Sequence, residues 1–278
     1  MPPLLTSIGA FKQSATGSAF ASDPLAANSG DSLSVLNFVD GSDAWVEEII
    51  SGNSAHKCEF AIFGARFGDP ILGYRFEHQF NPTLSGADGE PAFALPPNVD
   101  LPVYRTDTLT IQSLCSASDN LNLVLQMYYE NVEGTHQRLV SWPQISANIE
   151  RYLGLEVTVT PGTTGNYGTA VAINANDDRM VGDYDYALLG YTVDQPVLSI
   201  GIKGPDTGNF RIAMPGSWDQ RRNSGYFQDQ DFRRQTPHIP IINALNKATT
   251  FLDGLSASNA GATKVSLVMA QLRNRIFV

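Results

Sequence analysis

The sequence predicts an all-β protein with a few short helices, built from two tandem antiparallel β-barrels or sandwiches. Three observations predict this fold. Apolar residues recur at every second position in several segments, which is the period of a strand with one buried face. Glycine and proline are plentiful, with 24 and 16 copies in 278 residues, as expected where turns join many short strands. Similar segments also occur in the same order in the two halves of the chain.

The chain divides into an N-terminal arm at residues 1–34, a first β-barrel at 35–140 and a second β-barrel at 141–278. The arm is rich in serine, alanine and glycine, and Leu4, Leu5 and Phe11 lie near its start. A segment of this composition is expected to be mobile unless it packs against something. Two alternatives follow: the arm packs against a neighbouring subunit, or it packs against its own domain.

Capping residues and apolar spacing predict three short helices within this β-rich chain. They run from Asp43 to Ser51, from Pro143 to Leu153 and from Pro240 to Asp253. Each segment carries apolar residues three or four positions apart, and a glycine follows each one. Glycine is the residue most often found just past the end of a helix, which supports these boundaries.

Strict alternation predicts strands elsewhere. Apolar residues lie two positions apart from Leu121 to Tyr129, which predicts a half-buried strand. Two pairs of segments predict hairpins: residues 157–159 with 170–172 across a turn at 161–166, and residues 197–202 with 210–214.

The second half of the chain resembles the first at several places in the same order. The matched segments are 63–72 with 189–198, 93–96 with 212–215, 101–103 with 239–241, and 114–118 with 254–258. Each half then ends in an alternating strand, at Leu121–Tyr129 and at Val265–Leu272. This series predicts a duplicated unit of about 110–130 residues, which is an ordinary domain size.

Composition restricts the partners that we expect. The formal net charge is −10, whereas nucleic-acid binding needs a basic face, so we expect no direct sequence-specific contact with nucleic acid. Only 17% of the residues are charged, which is low for a soluble protein. Such a chain remains in solution if its surface is neutral and polar or is covered by partners, and extensive subunit contacts would supply that cover.

The first residues lack a basic start and a sustained apolar core, so we expect no signal peptide. No apolar stretch approaches the roughly 20 residues needed to span a bilayer. Cys58 and Cys115 both lie in apolar, strand-like runs. Burial as small hydrophobic residues is the favoured interpretation of these cysteines, and a disulfide between them stays open.

Catalytic and cofactor motifs do not stand out in this sequence. His56, His78, His136 and His238 have no metal-ligand spacing between them. Gly162, Gly165 and Gly168 form a glycine-rich repeat, but it lies in a turn and lacks the lysine of a phosphate-binding loop. The sequence therefore predicts neither an enzyme nor a bound cofactor.

One acidic stretch offers oxygen ligands for a cation. Asn174, Asn176, Asp178 and Asp185 are the candidates, in a spacing that loosely resembles a calcium-binding loop. Arg179 occupies the place where such a loop needs glycine. A solvated loop is the favoured interpretation, and a calcium site between subunits is the alternative.

Arginine pairs flank an aromatic segment in the second half, at Arg221–Arg222 and Arg233–Arg234. Basic residues among aromatics can bind single-stranded nucleic acid or anionic lipid, but aspartates lie between them and can neutralise them. An ion-paired loop or a subunit contact is therefore favoured. The full set of subunit-interface candidates is Leu4, Leu5, Phe11, Arg221, Arg222, Arg233, Arg234, Arg273 and Arg275.

The two strand-rich halves and the paired segments between them resemble the double jelly-roll major capsid proteins of tailless icosahedral viruses, including bacteriophages with an internal membrane. The resemblance covers the whole chain at the level of architecture, and it carries over no functional residue. It implies two jelly-roll-like β-barrels in a structural virion protein that assembles with itself, as trimeric pseudo-hexagonal capsomers, into an icosahedral shell. It also implies assembly in the host cytoplasm, with minor capsid proteins or an internal membrane as further partners.

The main alternative is a carbohydrate-binding or receptor-binding β-sandwich module. Trp45, Trp142 and Trp218 could supply stacking platforms for sugars. Exposure of these rings beside aspartate and asparagine would favour this alternative, and burial of all three would count against it. A β-barrel enzyme is a third possibility, which a cavity with converging titratable groups would favour.

Overall fold

The computed structural model describes residues 3–14, 26–27, 44–53, 58–63, 74–77, 101–103, 110–115, 119–130, 132, 136–163, 166–195, 197–216, 223–256 and 261–276. Antiparallel β-strands dominate these residues, which confirms the predicted all-β class. The helices among them are short.

Eight strands are described before residue 130, and nine strands follow. The first eight are β1 (Leu4–Ser14), β2 (Ala26–Ala27), β3 (Ala44–Asn53), β4 (Cys58–Phe63), β5 (Tyr74–Glu77), β6 (Leu101–Val103), β7 (Thr110–Cys115) and β8 (Asp119–Tyr129). The others are β9 (Leu139–Val140), β10 (Ile149–Val159), β11 (Val171–Ala172), β12 (Asp185–Val193), β13 (Ser199–Lys203), β14 (Ile212–Pro215), β15 (Ile239–Asn243), β16 (Phe251–Leu255) and β17 (Thr263–Leu272). The α-helices are α1 (Trp142–Ile145) and α2 (Tyr226–Arg234), and 3-10 turns occupy Ser146–Asn148 and Ala244–Asn246.

These strands form two sheets in each half of the chain. The first half has the orders β2-β1-β8-β3-β6 and β5-β4-β7. The second half has the orders β10-β17-β12-β15-β9 and β11-β16-β13-β14. Each half thus places its first and last long strands side by side, so the sheets are held by contacts between residues far apart in the sequence.

The same strand order occurs in both halves. When β1–β8 and β10–β17 are each counted from one to eight, both larger sheets contain the order 1-8-3-6. Both smaller sheets contain the order 7-4-5. The second strand differs, because β2 pairs with β1 whereas β11 pairs with β16.

This order tests the matched segments individually. Residues 101–103 and 239–241 both lie in the sixth strand of their half, and residues 114–115 and 254–255 both lie in the seventh. The match of 63–72 with 189–198 is wrong, because residue 63 ends a fourth strand and residue 189 lies in a third. Residues 93–96 lie outside the described residues.

The helix predicted from Asp43 to Ser51 is wrong, because this segment is the strand β3. It pairs with β8 along one edge and with β6 along the other, and its β-branched residues suit a strand. A bulge between Val46 and Glu48 adds one residue to β3 and shifts the alternation of its side chains. The register places Trp45 opposite Tyr128 and Ile49 opposite Leu125, so these two residues lie on opposite faces of β3 and do not share the face that the helix prediction gave them.

The helix predicted from Pro240 to Asp253 is also wrong. Its β-branched start is β15, the middle is a 3-10 turn, and its end is β16. The Asn243 side chain caps the turn by accepting a hydrogen bond from the Leu245 N–H at 2.9 Å. The helix predicted from Pro143 begins close to the predicted position, as α1, but α1 ends at Ile145, a 3-10 turn follows, and the segment from Ile149 onward is β10. In the described part of the chain, no helix is long and apolar enough to cross a bilayer.

The strand prediction at Leu121–Tyr129 is confirmed as β8, but side chains from Leu123 to Tyr129 are buried on both faces rather than one. The hairpin predicted at 197–214 is confirmed, because β13 pairs with β14. The hairpin predicted at 157–172 is wrong, because β10 pairs with β17 and β11 pairs with β16 in a different sheet.

A continuous buried interface joins the two halves. Ile50 and Val124 form one apolar cluster with Leu198, Ala213 and Leu255 of the second half. This packing covers the second face of β8 at Val124, which explains why the residues from Leu123 to Tyr129 are buried on both faces. Apolar residues of the two halves therefore pack together in one shared cluster.

The start of the predicted arm belongs to this core. Leu4–Ser14 pairs with β8 along its whole length, and Leu4 and Leu5 are fully buried within the chain. For residues 4–14 the structure thus agrees with packing against the chain itself, the second of the two alternatives. Ala26–Ala27 pairs with β1, and the remaining residues of the arm from 15 to 34 lie outside the described residues.

Candidate interaction surface

Helix α2 borders an open groove of about 1100 Å³ on the second half. Ser141, Trp142 and Pro143 line one side, and residues of α2 line the other. Phe232 projects from α2 with 81% of its surface exposed, the highest value among the exposed large hydrophobic side chains that the structure describes. An exposed aromatic ring beside a groove is typical of a surface that meets another protein.

A glycine fixes the position of α2 on the sheet. A Cβ atom at Gly190 of β12 would lie 2.2 Å from the carbonyl oxygen of Asn223, just before α2. Only glycine therefore allows the chain to approach the sheet this closely. Tyr226 and Phe227 are buried against the sheet side of α2, whereas Phe232 faces outward.

Local contacts define the end of α2 and attach it to α1. Asp229 and Arg233 form an ion pair at 2.8 Å along one face of the helix. Gln235 adopts a left-handed conformation with φ 57° and donates its N–H to the Asp231 carbonyl, which ends the helix. The Trp142 N–H donates to Asp231 Oδ2 at 2.9 Å, so this carboxylate joins the two walls of the groove.

Two glutamates of β3 enter the contact between the halves. The bulge at Val46–Glu48 lets both Glu47 and Glu48 reach the second half, and both are almost completely buried. Glu47 Oε2 lies 2.8 Å from His238 Nε2. The Tyr226 hydroxyl donates to the Glu48 carboxylate and lies 2.7 Å from Gln126 Oε1.

The electrostatics of this cluster favour protonated groups. Burial raises the pKa of Tyr226, and the negative charge of Glu48 raises it further. Burial by itself would lower the pKa of His238, but the charge and hydrogen bond of Glu47 outweigh that effect and raise it. Tyr128 stacks on the His238 ring with centroids 5.0 Å apart, which covers the pair from the β8 side.

Further polar contacts join the first strand to the second half. The Gln137 side chain accepts from the Leu5 N–H at 2.5 Å and donates to the Leu5 carbonyl at 2.8 Å. The Ser7 N–H donates to the Arg211 carbonyl at 2.9 Å. Arg211 in turn pairs with Asp253 at 2.7 Å and lies over the Tyr167 ring.

The predicted interface residues that the structure describes lie at separate places in it. Arg233 lies on α2 beside the groove, and the Arg234 guanidinium donates to the Glu47 carbonyl at 2.9 Å, between the halves. Arg275 pairs with Asp183 on the surface, and Arg273 is exposed near the end of the chain. Leu4 and Leu5 are buried, as described above. The backbone of Phe11 lies in β1, and Arg221 and Arg222 lie outside the described residues.

Three of the four candidate cation ligands, all except Asn174, have partners within the protein. Asp185 is fully buried and accepts hydrogen bonds from Arg138, Asn243 and the Ile276 N–H. Asn176 accepts from the Thr158 N–H, and Asp178 pairs with Lys247. Among the residues that the structure describes, no group of three or more acidic, histidine or cysteine side chains is placed to hold a metal.

Aromatic exposure distinguishes the alternatives only in part. Trp45 and Trp142 are partly buried and pack against the core, and Trp142 also lines the α2 groove. Trp218 lies outside the described residues. His56 and His78 also lie outside them, and His136 is exposed.

Sequence reasoning missed Glu47, His238 and Gln137 as elements of this contact. The sequence does contain a signal for Glu47, because two adjacent glutamates interrupt an apolar run from Trp45 to Ile50. Charged residues in such a run are expected to be paired when they are buried.

Comparison of the chain with known protein families found no matching family model, and comparison with curated proteins found no match.

Proposed function

We propose that this chain is the structural subunit of an icosahedral virion shell and that each half is a jelly-roll barrel. The repeated strand order carries the proposal. The orders 1-8-3-6 and 7-4-5 within eight antiparallel strands are those of a jelly roll, in which two Greek keys fold into two facing sheets. The occurrence of this order in both halves supports a duplicated unit.

Two similar barrels in one chain give a physical reason for shell assembly. Three copies present six similar units, which can tile near-sixfold positions with one kind of chain. Closed symmetric arrangements of identical subunits are the common outcome of protein self-association. The low charged fraction of 17% is in keeping with large neutral contacts between copies.

The α2 groove supports a lateral contact between copies. Phe232 is exposed on a helix that is firmly held by Gly190 and by the Trp142–Asp231 hydrogen bond. A rigid aromatic side chain loses little conformational entropy when a partner covers it. We propose that a second copy of the chain covers Phe232, with Arg233 at the rim of the contact. The chain is then a virion component that acts without catalysis, and its main partner is itself.

The native mass of the purified full chain tests this proposal. Mass photometry and negative-stain electron microscopy should show trimers or closed shells at micromolar concentration. A strict monomer over the whole concentration range would overturn the proposal. If the monomer also bound glycans on an array, the carbohydrate-binding alternative would replace it.

A further inference from the structure

His238 is completely buried, and both nitrogens of its ring face oxygen atoms. Nδ1 lies 2.8 Å from the carbonyl oxygen of Thr236, and Nε2 lies 2.8 Å from Glu47 Oε2. The Thr236 hydroxyl oxygen lies 3.2 Å from the same nitrogen, but the carbonyl oxygen is closer and can only accept a hydrogen bond, so Nδ1 carries a proton. The contact between Nε2 and Glu47 then requires a second proton.

We place that second proton on Nε2, where it makes the ring an imidazolium ion that donates to Glu47 Oε2. One proton then lies between the nitrogen of His238 and the carboxylate oxygen of Glu47, and both groups hold it in place. Without it, a buried carboxylate faces the lone pair of Nε2 at hydrogen-bonding distance, and both groups are shielded from water.

The pair connects the two halves of the chain. Glu47 is in the bulge of β3, and His238 directly precedes β15. Two further elements pack against the pair and bring titratable or charged side chains to it. Tyr128 of β8 stacks on the His238 ring, and α2 contributes Asp231 and Arg234. The negative charges of Glu47 and Asp231 both favour the proton, and the Arg234 guanidinium binds the Glu47 carbonyl rather than its carboxylate.

We propose that the proton shared by Glu47 and His238 is a latch between the two halves, and that its loss at alkaline pH loosens the contact of β3 with the segment before β15. The inference does not depend on the proposed virion function, because it concerns contacts within one chain.

The direction of the pH dependence follows from linkage. The pKa of His238 is raised in the folded chain, so the folded state holds a proton that the unfolded state releases. The stabilisation is fully present below the unfolded pKa, which is about 6.5, and is lost as pH rises through the folded pKa. Between these two values the opening equilibrium should rise about tenfold per pH unit.

Glu47→Gln provides the decisive variant. The glutamine amide can donate to a neutral Nε2 while Nδ1 still donates to Thr236, so the contact persists without the shared proton. Hydrogen exchange of the peptides that contain β3 and β15 is then compared between wild type and variant at equal pH. We expect similar protection at pH 6 and, at pH 9.5, at least about tenfold faster exchange in the wild type than in the variant.

A matched control is Glu156→Gln, which removes the carboxylate of the exposed Lys264–Glu156 pair. Hydrogen exchange of β3 and β15 in this variant should follow that of the wild type at both pH values. Parallel loss of protection in wild type and Glu47→Gln as pH rises would overturn the proposal. If Glu47→Gln does not fold, an NMR titration of the His238 ring in the wild-type chain decides the matter. A midpoint at or below about 6.5 would then exclude the latch.

Discussion

Gln137 binds both backbone groups of Leu5 through one side-chain amide, as a neighbouring strand would. The Leu5 N–H donates to Gln137 Oε1 at 2.5 Å, and Gln137 Nε2 donates to the Leu5 carbonyl at 2.8 Å. Both residues are buried, so no water can replace these bonds without a structural change. A residue just before β9 thus secures the first strand of the chain.

Gln137→Ala should therefore destabilise the protein. It leaves the buried N–H and carbonyl of Leu5 unpaired, at an expected cost of about 1–3 kcal/mol for each unsatisfied group. Urea unfolding monitored by fluorescence measures the free energy of unfolding. Gln144→Ala is the control, because its hydrogen bond to the Ser141 N–H is exposed and should cost less than about 1 kcal/mol. Equal losses in the two variants would contradict the role of Gln137.

Gly190→Ala should displace α2 from the sheet. The new Cβ would lie 2.2 Å from the Asn223 carbonyl oxygen, so the backbone must move, at an expected cost of about 1–3 kcal/mol. Gly154→Ala is a matched control in the neighbouring part of the sheet, because no atom lies within 4 Å of its Cβ position. Thermal unfolding of both variants checks the prediction, and a stable Gly190→Ala protein would show that α2 is not held by this close approach.

Asp185→Ala should strongly lower the free energy of unfolding. It removes a fully buried carboxylate that pairs with Arg138 at 3.2 Å and accepts from Asn243, and loss of one partner of a buried pair costs about 3–5 kcal/mol. Asp183→Ala breaks the exposed pair with Arg275 and should cost less than about 1 kcal/mol. Chemical denaturation compares the two. Because Asp185 is already paired with a cation, millimolar calcium should leave the wild-type melting temperature unchanged.

Phe232→Ser should weaken self-association while leaving the fold intact. Its ring is 81% exposed, so folding gains little from it, whereas a covering copy would lose a buried aromatic contact. We expect the dissociation constant measured by sedimentation to rise about tenfold or more, which corresponds to at least about 1.4 kcal/mol. The control Leu245→Ser removes another exposed apolar side chain, 70% exposed, outside the lining of the groove. An unchanged constant for Phe232→Ser would rule out this surface as the contact.

The sequence predicted strands well where side chains alternate without interruption. Leu121–Tyr129 and the 197–214 hairpin have an unbroken period, and both are found in the structure. The helix predicted over β3 was wrong because one bulge changes the period at Val46–Glu48, and a bulge has no signal in spacing alone. Helix α2 was missed because its buried side combines Tyr226 and Phe227 with the polar Gln230 and Asp231, so no apolar stripe marks a helix there.

The contact between the halves could not be predicted from the sequence. Glu47 and His238 are 191 positions apart, and only the strand order brings them together. The sequence marked His238 as one histidine without a metal-ligand spacing, and its actual partner is a glutamate in a segment assigned to a helix. Errors in local structure thus hide long-range polar pairs, because a pair can be recognised only when both strands are placed correctly.

The pairing of β1 with β8 has a consequence for synthesis on the ribosome. β1 starts at Leu4, but its partner strand ends at Tyr129, so the nascent chain exposes an unpaired apolar edge until most of the first half has emerged. The two hydrogen bonds between Gln137 and the Leu5 backbone form later still, after residue 137 has emerged. Productive folding therefore requires that the unpaired β1 does not associate with other nascent chains before β8 has emerged. Translation speed or chaperone supply should limit the yield of this protein in a foreign host.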